Sequence, residues 1–363
     1  MLTRLLSGDL PRSRALTVVL LAILIGLVLA PFLFPGTRSL DTAARIAIFI
    51  VLVGSYDLLL GYTGIVSFAH TMFFGIGAYG VALSLTNSGP IWGAVALGAA
   101  GGILLAVVLA FVIGLFSLRV KAIFFAMVTL AVASAFAILV SQLYQLTGGE
   151  DGLSYSVPRE LTPGFKWAEG RLFGVRLDGK LISYYLVVTV SLAAFLFMLR
   201  VVNSPFGRVL LAIRENAFRA EAVGYRTVHY RTIATCLSAA MAAVAGVLMA
   251  LWLRYTGPQT TLSLDIMIDI LLMVVIGGMG TMYGAVLGAT ILVLARNYLQ
   301  GLMGAAAEAT SDLPFLPGLL QPDRWLLWLG VLFILSVYFF PMGIVGRLRL
   351  RLKRDSEEVH STN

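Results

Sequence analysis

Ionisable side chains stand in or beside otherwise apolar stretches of this chain, among them Asp57, His70, Asp265 and Asp269. Such groups can bind or relay protons and cations, because a charge in a low-dielectric span is costly and must face a partner or water. Asp57 and His70 flank the turn at residues 61–64, so a helical hairpin would set them at similar depth, where they could satisfy each other as structural glue. Asp265 and Asp269 are four apart and share one helical face, with Asp265 expected at the outer interface. A proton-coupled transporter would use Asp57, His70 and Asp269 as its relay. Metal chemistry has no comparable support: Cys236 is the single cysteine, and His70, His229 and His360 show no ligand spacing. Two nucleotide motifs are false alarms. Gly75, Gly77 and Gly80 spell GxGxxG, but inside an apolar span that follows no strand. Gly174, Gly179 and Lys180 have phosphate-loop spacing, yet Leu181 replaces the required Ser or Thr. No helix is expected to open there, and residues 177–180 read as a tight hairpin turn.

The elements that must position these groups are membrane spans. Of 363 residues, 59% are hydrophobic and 12% charged, and the mean hydropathy is +0.94, which excludes a soluble globular domain. Apolar runs at 15–34, 45–60, 64–85, 91–116, 123–143, 182–199, 232–253, 266–277, 283–303 and 325–340 predict an all-α polytopic integral membrane protein. It would have about ten transmembrane helices, some broken or short, in two loosely related halves. The net charge of +8 comes from basic residues gathered in short loops. That is a topological signal and gives no ground for a nucleic-acid partner. Ten crossings from a cytoplasmic N-terminal segment (1–14) put Arg119, Lys121, residues 203–231 and the basic tail (344–363) inside. The tail carries Arg347, Arg349, Arg351, Lys353 and Arg354. The charge-balanced loop 145–181 falls outside, and 15–343 forms the membrane domain.

Residues 203–231 are the one long polar segment with a helical pattern. Ser204 and Pro205 read as N-cap and first helical position. Val209, Leu210, Ile213, Ala217 and Ala220 make an apolar stripe, and Glu215 precedes Arg219 in the order that favours an exposed ion pair. Gly224 can supply the left-handed stop. Such a helix suits either an anionic lipid surface or a protein partner.

Glycines cluster at 61–80 (Gly61, Gly64, Gly75, Gly77) and 277–288 (Gly277, Gly278, Gly280), each cluster beside a hairpin expected on the cytoplasmic side. Small residues permit close helix packing. Interrupted helices at corresponding places in two halves also point to a transport pathway.

The stretches DLLLGYTGIVSFAHTMFFGIGAYG (57–80), GRVLLAIRENAFRAEAVGY (207–225) and DILLMVVIGGMGTMYGAVLGA (269–289) resemble the permeases of branched-chain amino acid ABC importers. They are most similar to the second of the two homologous permease types. The resemblance implies a subunit of the bacterial inner membrane, paired with a distinct homologous permease, two ABC ATPase subunits and a periplasmic solute-binding protein. It implies that ATP is bound by the partner chains, so that this chain is no enzyme and needs no cofactor. It also implies that Gly207, Arg208, Leu210, Ile213, Arg214, Glu215, Arg219, Glu221 and Gly224 form the element that docks on the ATPase. Leu210 and Ile213 would be its anchors, which chooses protein over lipid for this segment. Asp57 stands where the resemblance leads one to expect asparagine. Permeases of this type also serve urea and short-chain amides.

Overall fold

A computed structural model of the chain describes residues 14–34, 36–117, 122–172, 175–309, 321–339 and 343–346. Residues 1–13, Arg119, Lys121, Gly174, Phe340 and the tail from Arg347 onward therefore lie outside the described residues, together with the expectations placed on them.

All ten predicted spans are helices. They are α1 (Arg14–Leu33), α2 (Thr37–Thr63), α3 (His70–Ser88), α4 (Trp92–Ser117), α5 (Ala122–Gln142) and α6 (Gly179–Val202). Two short helices follow, α7 (Pro205–Glu215) and α8 (Ala217–Ala222), and then α9 (Thr227–Leu253), α10 (Leu264–Gly277), α11 (Met282–Ala309) and α12 (Trp325–Phe339). Eight segments are long and apolar enough to cross a membrane; α10 reaches that length only with the helical turn Pro258–Thr261 before it. The helices α3 and α12 complete the ten. Several ends differ from the apolar runs, because polar residues at membrane ends continue a helix that hydropathy alone cuts short. The helix α2 begins eight residues early, at Thr37, and α3 begins only at His70, after a non-helical stretch at 64–69.

The bundle has a core and a rim. Within α2, 89% of the spanning window is buried, against 17% in α1 and α5. The helices α2, α3 and α9 pack through small residues: a Cβ on Gly77 would lie 2.0 Å from Ala243 O, and one on Gly246 1.9 Å from Phe74 O. Such contacts bring backbones together and explain the GxGxxG spacing without any nucleotide. The rim helices expose Leu97, Leu104, Ile123 and Ile334, a surface that only lipid tails solvate.

The helix α6 separates two polar regions, with the segment 203–231 at its C-terminal end and the loop 145–181 at its N-terminal end. The loop carries strands within an otherwise helical fold. Strand β1 (Leu153–Ser154) pairs antiparallel with β4 (Tyr255–Thr256), and β2 (Lys166–Leu172) pairs antiparallel with β3 (Val175–Asp178). The turn expected at residues 177–180 is not there, because Leu172 and Val175 are partners and the hairpin closes earlier. A helix does open at Gly179, contrary to expectation. Asp178 is its N-cap and accepts from Leu181 N at 3.2 Å. Aspartate before a helix satisfies an orphan N–H, and that outweighs its turn-forming tendency. A Cβ on Gly179 would lie 2.0 Å from Thr162 O, so this glycine serves packing.

Candidate functional site

The polar segment folds as predicted at both ends and not in the middle. Ser204 caps α7 with Pro205 in its first turn, and the Ser204 hydroxyl accepts from Gly207 N at 3.4 Å. After α8, Gly224 adopts φ +101°. Its N–H donates to Glu221 O, and Tyr225 N donates to Ala220 O, the paired bonds of a Schellman stop. Between these ends the helix breaks at Asn216, whose extended backbone ends α7 and whose Oδ1 accepts from Arg219 N at 2.9 Å to start α8. Asparagine is a strong N-cap, and that was the available signal. Glu215 and Arg219 thus belong to different helices and make no ion pair, so the expected i,i+4 pair is corrected.

The buried face of α7 is also spoken for. Leu210 and Ile213 are 0% and 1% exposed, packed into the protein's own bundle, so they cannot be anchors for a partner. Gly207 lies against Val202 O, and Glu221 accepts from the Thr227 hydroxyl at the start of α9. Phe206 stacks on Tyr230 at 5.8 Å, tying α7 to α9. The exposed residues include Arg208, Arg214, Glu215, Arg219 and Glu221, together with Phe218 at 83% and Val223 at 74% exposure. Phe218 was missed in the sequence because one aromatic residue off the apolar stripe carries no periodic signal.

Arg214 is exposed on α7, yet its guanidinium reaches the glycine turns. It donates from Nη1 to Gly61 O, and a Cβ added to Gly280 would lie 2.8 Å from the same nitrogen. Gly280 N in turn donates to Asp57 Oδ1 at 2.8 Å. The two glycine turns are therefore in contact: a Cβ on Gly61 would sit 2.2 Å from Asp57 Oδ1 and 2.4 Å from Gly280 N. Gly64 ends α2 in the left-handed region at φ +72°, and its Cβ position lies 3.3 Å from the Arg214 stem. Gly278 (φ +114°) and Gly280 (φ +76°) form the turn between α10 and α11. One arginine on α7 thus sits where the α2–α3 and α10–α11 connections meet.

The intramembrane groups do not form one cluster. Asp57 and His70 do not satisfy each other: Asp57 bonds the Gly280 amide, whereas His70 Nε2 lies 2.8 Å from Ser238 Oγ, which donates to Ser55 O. The His70 ring also meets Tyr56 edge-on at 4.7 Å. His70 opens α3 after the non-helical stretch 64–69 and, through Ser238, ties α2, α3 and α9 together. Asp269 pairs with Arg296 at 2.7 Å, a partner the sequence reading overlooked, and Asp265 is exposed. Asp57, His70 and Asp269 each have a different polar partner, and the bonds they make do not join them into a relay. Gly75 packs on Leu262, and Gly277 on Gly284 O. Among the described residues no group of His, Cys, Asp and Glu could hold a metal ion.

All three stretches that carry the resemblance fall inside the region that matches a known family. Residues 39–355 match the family described as branched-chain amino acid transport system, permease component. The high-affinity branched-chain amino acid transport system permease protein LivM of Salmonella typhimurium is 28% identical over 351 residues, covering 93% of this chain and 76% of the relative. LivM of Escherichia coli is 27% identical over 348 residues, covering 92% and 76%. A probable branched-chain amino acid transport permease protein LivM of Methanocaldococcus jannaschii is 28% identical over 311 residues, covering 81% and 83%. No solved structure matches the chain. These relatives are transport permeases and not enzymes. The match over most of the chain and the bundle of apolar helices agree: this polytopic membrane protein belongs to the family of permease components of branched-chain amino acid transport systems.

Proposed function

We propose that the chain is one of two homologous but distinct permease subunits of an ABC importer for branched-chain amino acids. Segment 203–231 faces the cytoplasm and docks on one of two ATPase subunits, which bind the ATP. Loop 145–181 faces the periplasm and a solute-binding protein, both termini are cytoplasmic, and the membrane is the bacterial inner membrane. The membrane domain 15–343 supplies half of the pathway.

The observation that carries this reading is the seat of Arg214 against both glycine turns. Ser204 caps α7 and the Gly224 stop ends α8, so the pair is fixed at both ends, and a displacement imposed on α7 reaches α2–α3 and α10–α11 together through Arg214. The outward face of α7 and α8, with Arg208, Glu215, Phe218, Arg219 and Val223, supplies charge around an exposed apolar pair. That is the make-up of an interface core and rim. Reconstitution of the full complex tests the reading. Leucine, isoleucine and valine uptake should require ATP and both permeases. Uptake driven by a proton gradient without the ATPases would overturn it, and uptake of urea in place of these amino acids would move the substrate.

A further inference from the structure

The end of the bundle away from α7 holds a cleft of about 280 Å³, lined by Asp41, Pro163, Lys180, Trp252, Leu253 and Arg254. Its charges come from three separate elements: the start of α2, the start of α6 and the end of α9.

Arg254 is the single non-glycine residue with positive φ among the described residues, at +56°. Side-chain-bearing residues held there are strained and concentrate at functional sites. Its Nη2 donates to Leu161 O at 3.1 Å, while Nε is buried with no partner. Burial holds its guanidinium below the usual arginine range, so a bound anion would relieve it. Lys180 stands in the first turn of α6, where the helix adds positive potential. Neither cation has an ion-pair partner among the described residues. Asp41 is held in place, accepting from Trp252 Nε1 and from Arg45 Nε, both at 2.8 Å. Arg45 balances its charge, yet a carboxylate has about four lone-pair sites and keeps room for a further donor. Trp252, Leu253 and Pro163 add an apolar wall.

We infer that this cleft receives a free L-α-amino acid, with its carboxylate on Lys180 and Arg254, its ammonium at Asp41 and its side chain against Trp252, Leu253 and Pro163. The choice of ligand rests on the proposed function. The cleft offers donors for a carboxylate on Lys180 and Arg254 and spare acceptor sites for an ammonium on Asp41, a pairing that a zwitterion fills and a phosphate does not.

The test uses the full-length chain in detergent and radiolabelled L-leucine in a proximity assay. Leucine should bind saturably. Leucinamide, without the carboxylate, and 4-methylpentanoate, without the ammonium, should not compete at ten times the leucine concentration. Lys180→Gln should weaken binding at least tenfold. Arg254→Gly should do the same while accepting the left-handed backbone, so its thermal unfolding should stay close to that of the parent. Absence of saturable binding, unchanged binding in both variants, equal competition by leucinamide, or tighter binding of inorganic phosphate would each overturn the inference. Uptake by the complete complex separates the two readings. ATP-driven leucine uptake that ignores both variants sinks the cleft and leaves the function standing. Leucine binding that needs Lys180 and Arg254, in a complex that transports no branched-chain amino acid, keeps the cleft and sinks the function.

Discussion

At the α7 end of the bundle, charged side chains close on backbone: Arg214 donates to Gly61 O, and Asp57 accepts from Gly280 N–H. At the opposite end, side chains also close on one another. Asp41 holds Arg45 and Trp252, the Tyr155 and Thr256 hydroxyls lie 2.9 Å apart, and β1 pairs with β4 across them. Tyr155 is half-buried there, and desolvation pushes its phenol above the usual tyrosine range, so it stays a neutral donor. The difference is in what a displacement would break. The Arg214 side chain links α7 to glycine turns that are themselves in close contact, so a shift of α7 reaches both turns. At the far end the Trp252–Asp41 bond ties α9 to α2, and the Tyr155–Thr256 bond ties the loop to the strand after α9. The first end is suited to coupling and the second to holding shape and receiving a ligand.

The largest effect should come from wedging the two turns apart. Gly61→Ala places a Cβ within 2.4 Å of both Asp57 Oδ1 and Gly280 N, and Gly278→Leu forces a side chain onto φ +114°. Overpacking costs about 1–3 kcal/mol, and at this contact it should abolish uptake, measured in vesicles. Near-normal uptake in both variants would show that the turns do not have to touch. Next in size is Arg214→Gln. Losing a charge-assisted hydrogen bond costs about 1.5–3 kcal/mol, so substrate-stimulated ATPase activity should fall ten- to a hundredfold at unchanged membrane level. A fall in membrane level alone would make Arg214 a structural residue.

Phe218→Ala should leave folding intact, because the ring is exposed, and should weaken co-purification of the ATPase subunits. An aromatic anchor at an interface centre is worth about 2 kcal/mol or more. Full recovery of the ATPase would move the docking surface elsewhere. Asp269→Asn tests the holding role of side-chain pairs, since it leaves Arg296 facing a neutral partner. Arg296 is 39% exposed, which limits the cost to about 1–2 kcal/mol. A thermal shift of a few degrees with coupling retained is the expected result, and loss of coupling at normal stability would place Asp269 in the pathway. The smallest effect is a null: a double-mutant cycle between Glu215 and Arg219 should give a coupling energy near zero, below about 0.3 kcal/mol, because Asn216 separates them. A coupling as large as a helical ion pair would mean that α7 and α8 form one helix.

Hydropathy alone located all ten helices, because a bilayer demands about 20 apolar residues for each crossing and this demand is local. Local chemistry also determined Ser204, Pro205 and Gly224 as the ends of the polar segment, since capping involves only residues a few positions apart. The three glycine-bearing stretches sufficed to indicate the family. Tertiary structure decided the rest. Leu210 and Ile213, expected as anchors for a partner, are buried in the protein itself, and only packing shows it. Arg214 and Gly61 are 153 positions apart, and Gly280 and Asp57 are 223 apart, so no periodicity could pair them. Asp57 and His70, close in sequence, part company: after the non-helical stretch 64–69 His70 meets Ser238 on α9, while Asp57 bonds Gly280. A span is written in its own residues, but a contact between spans depends on how the helices pack, which no short stretch of sequence encodes.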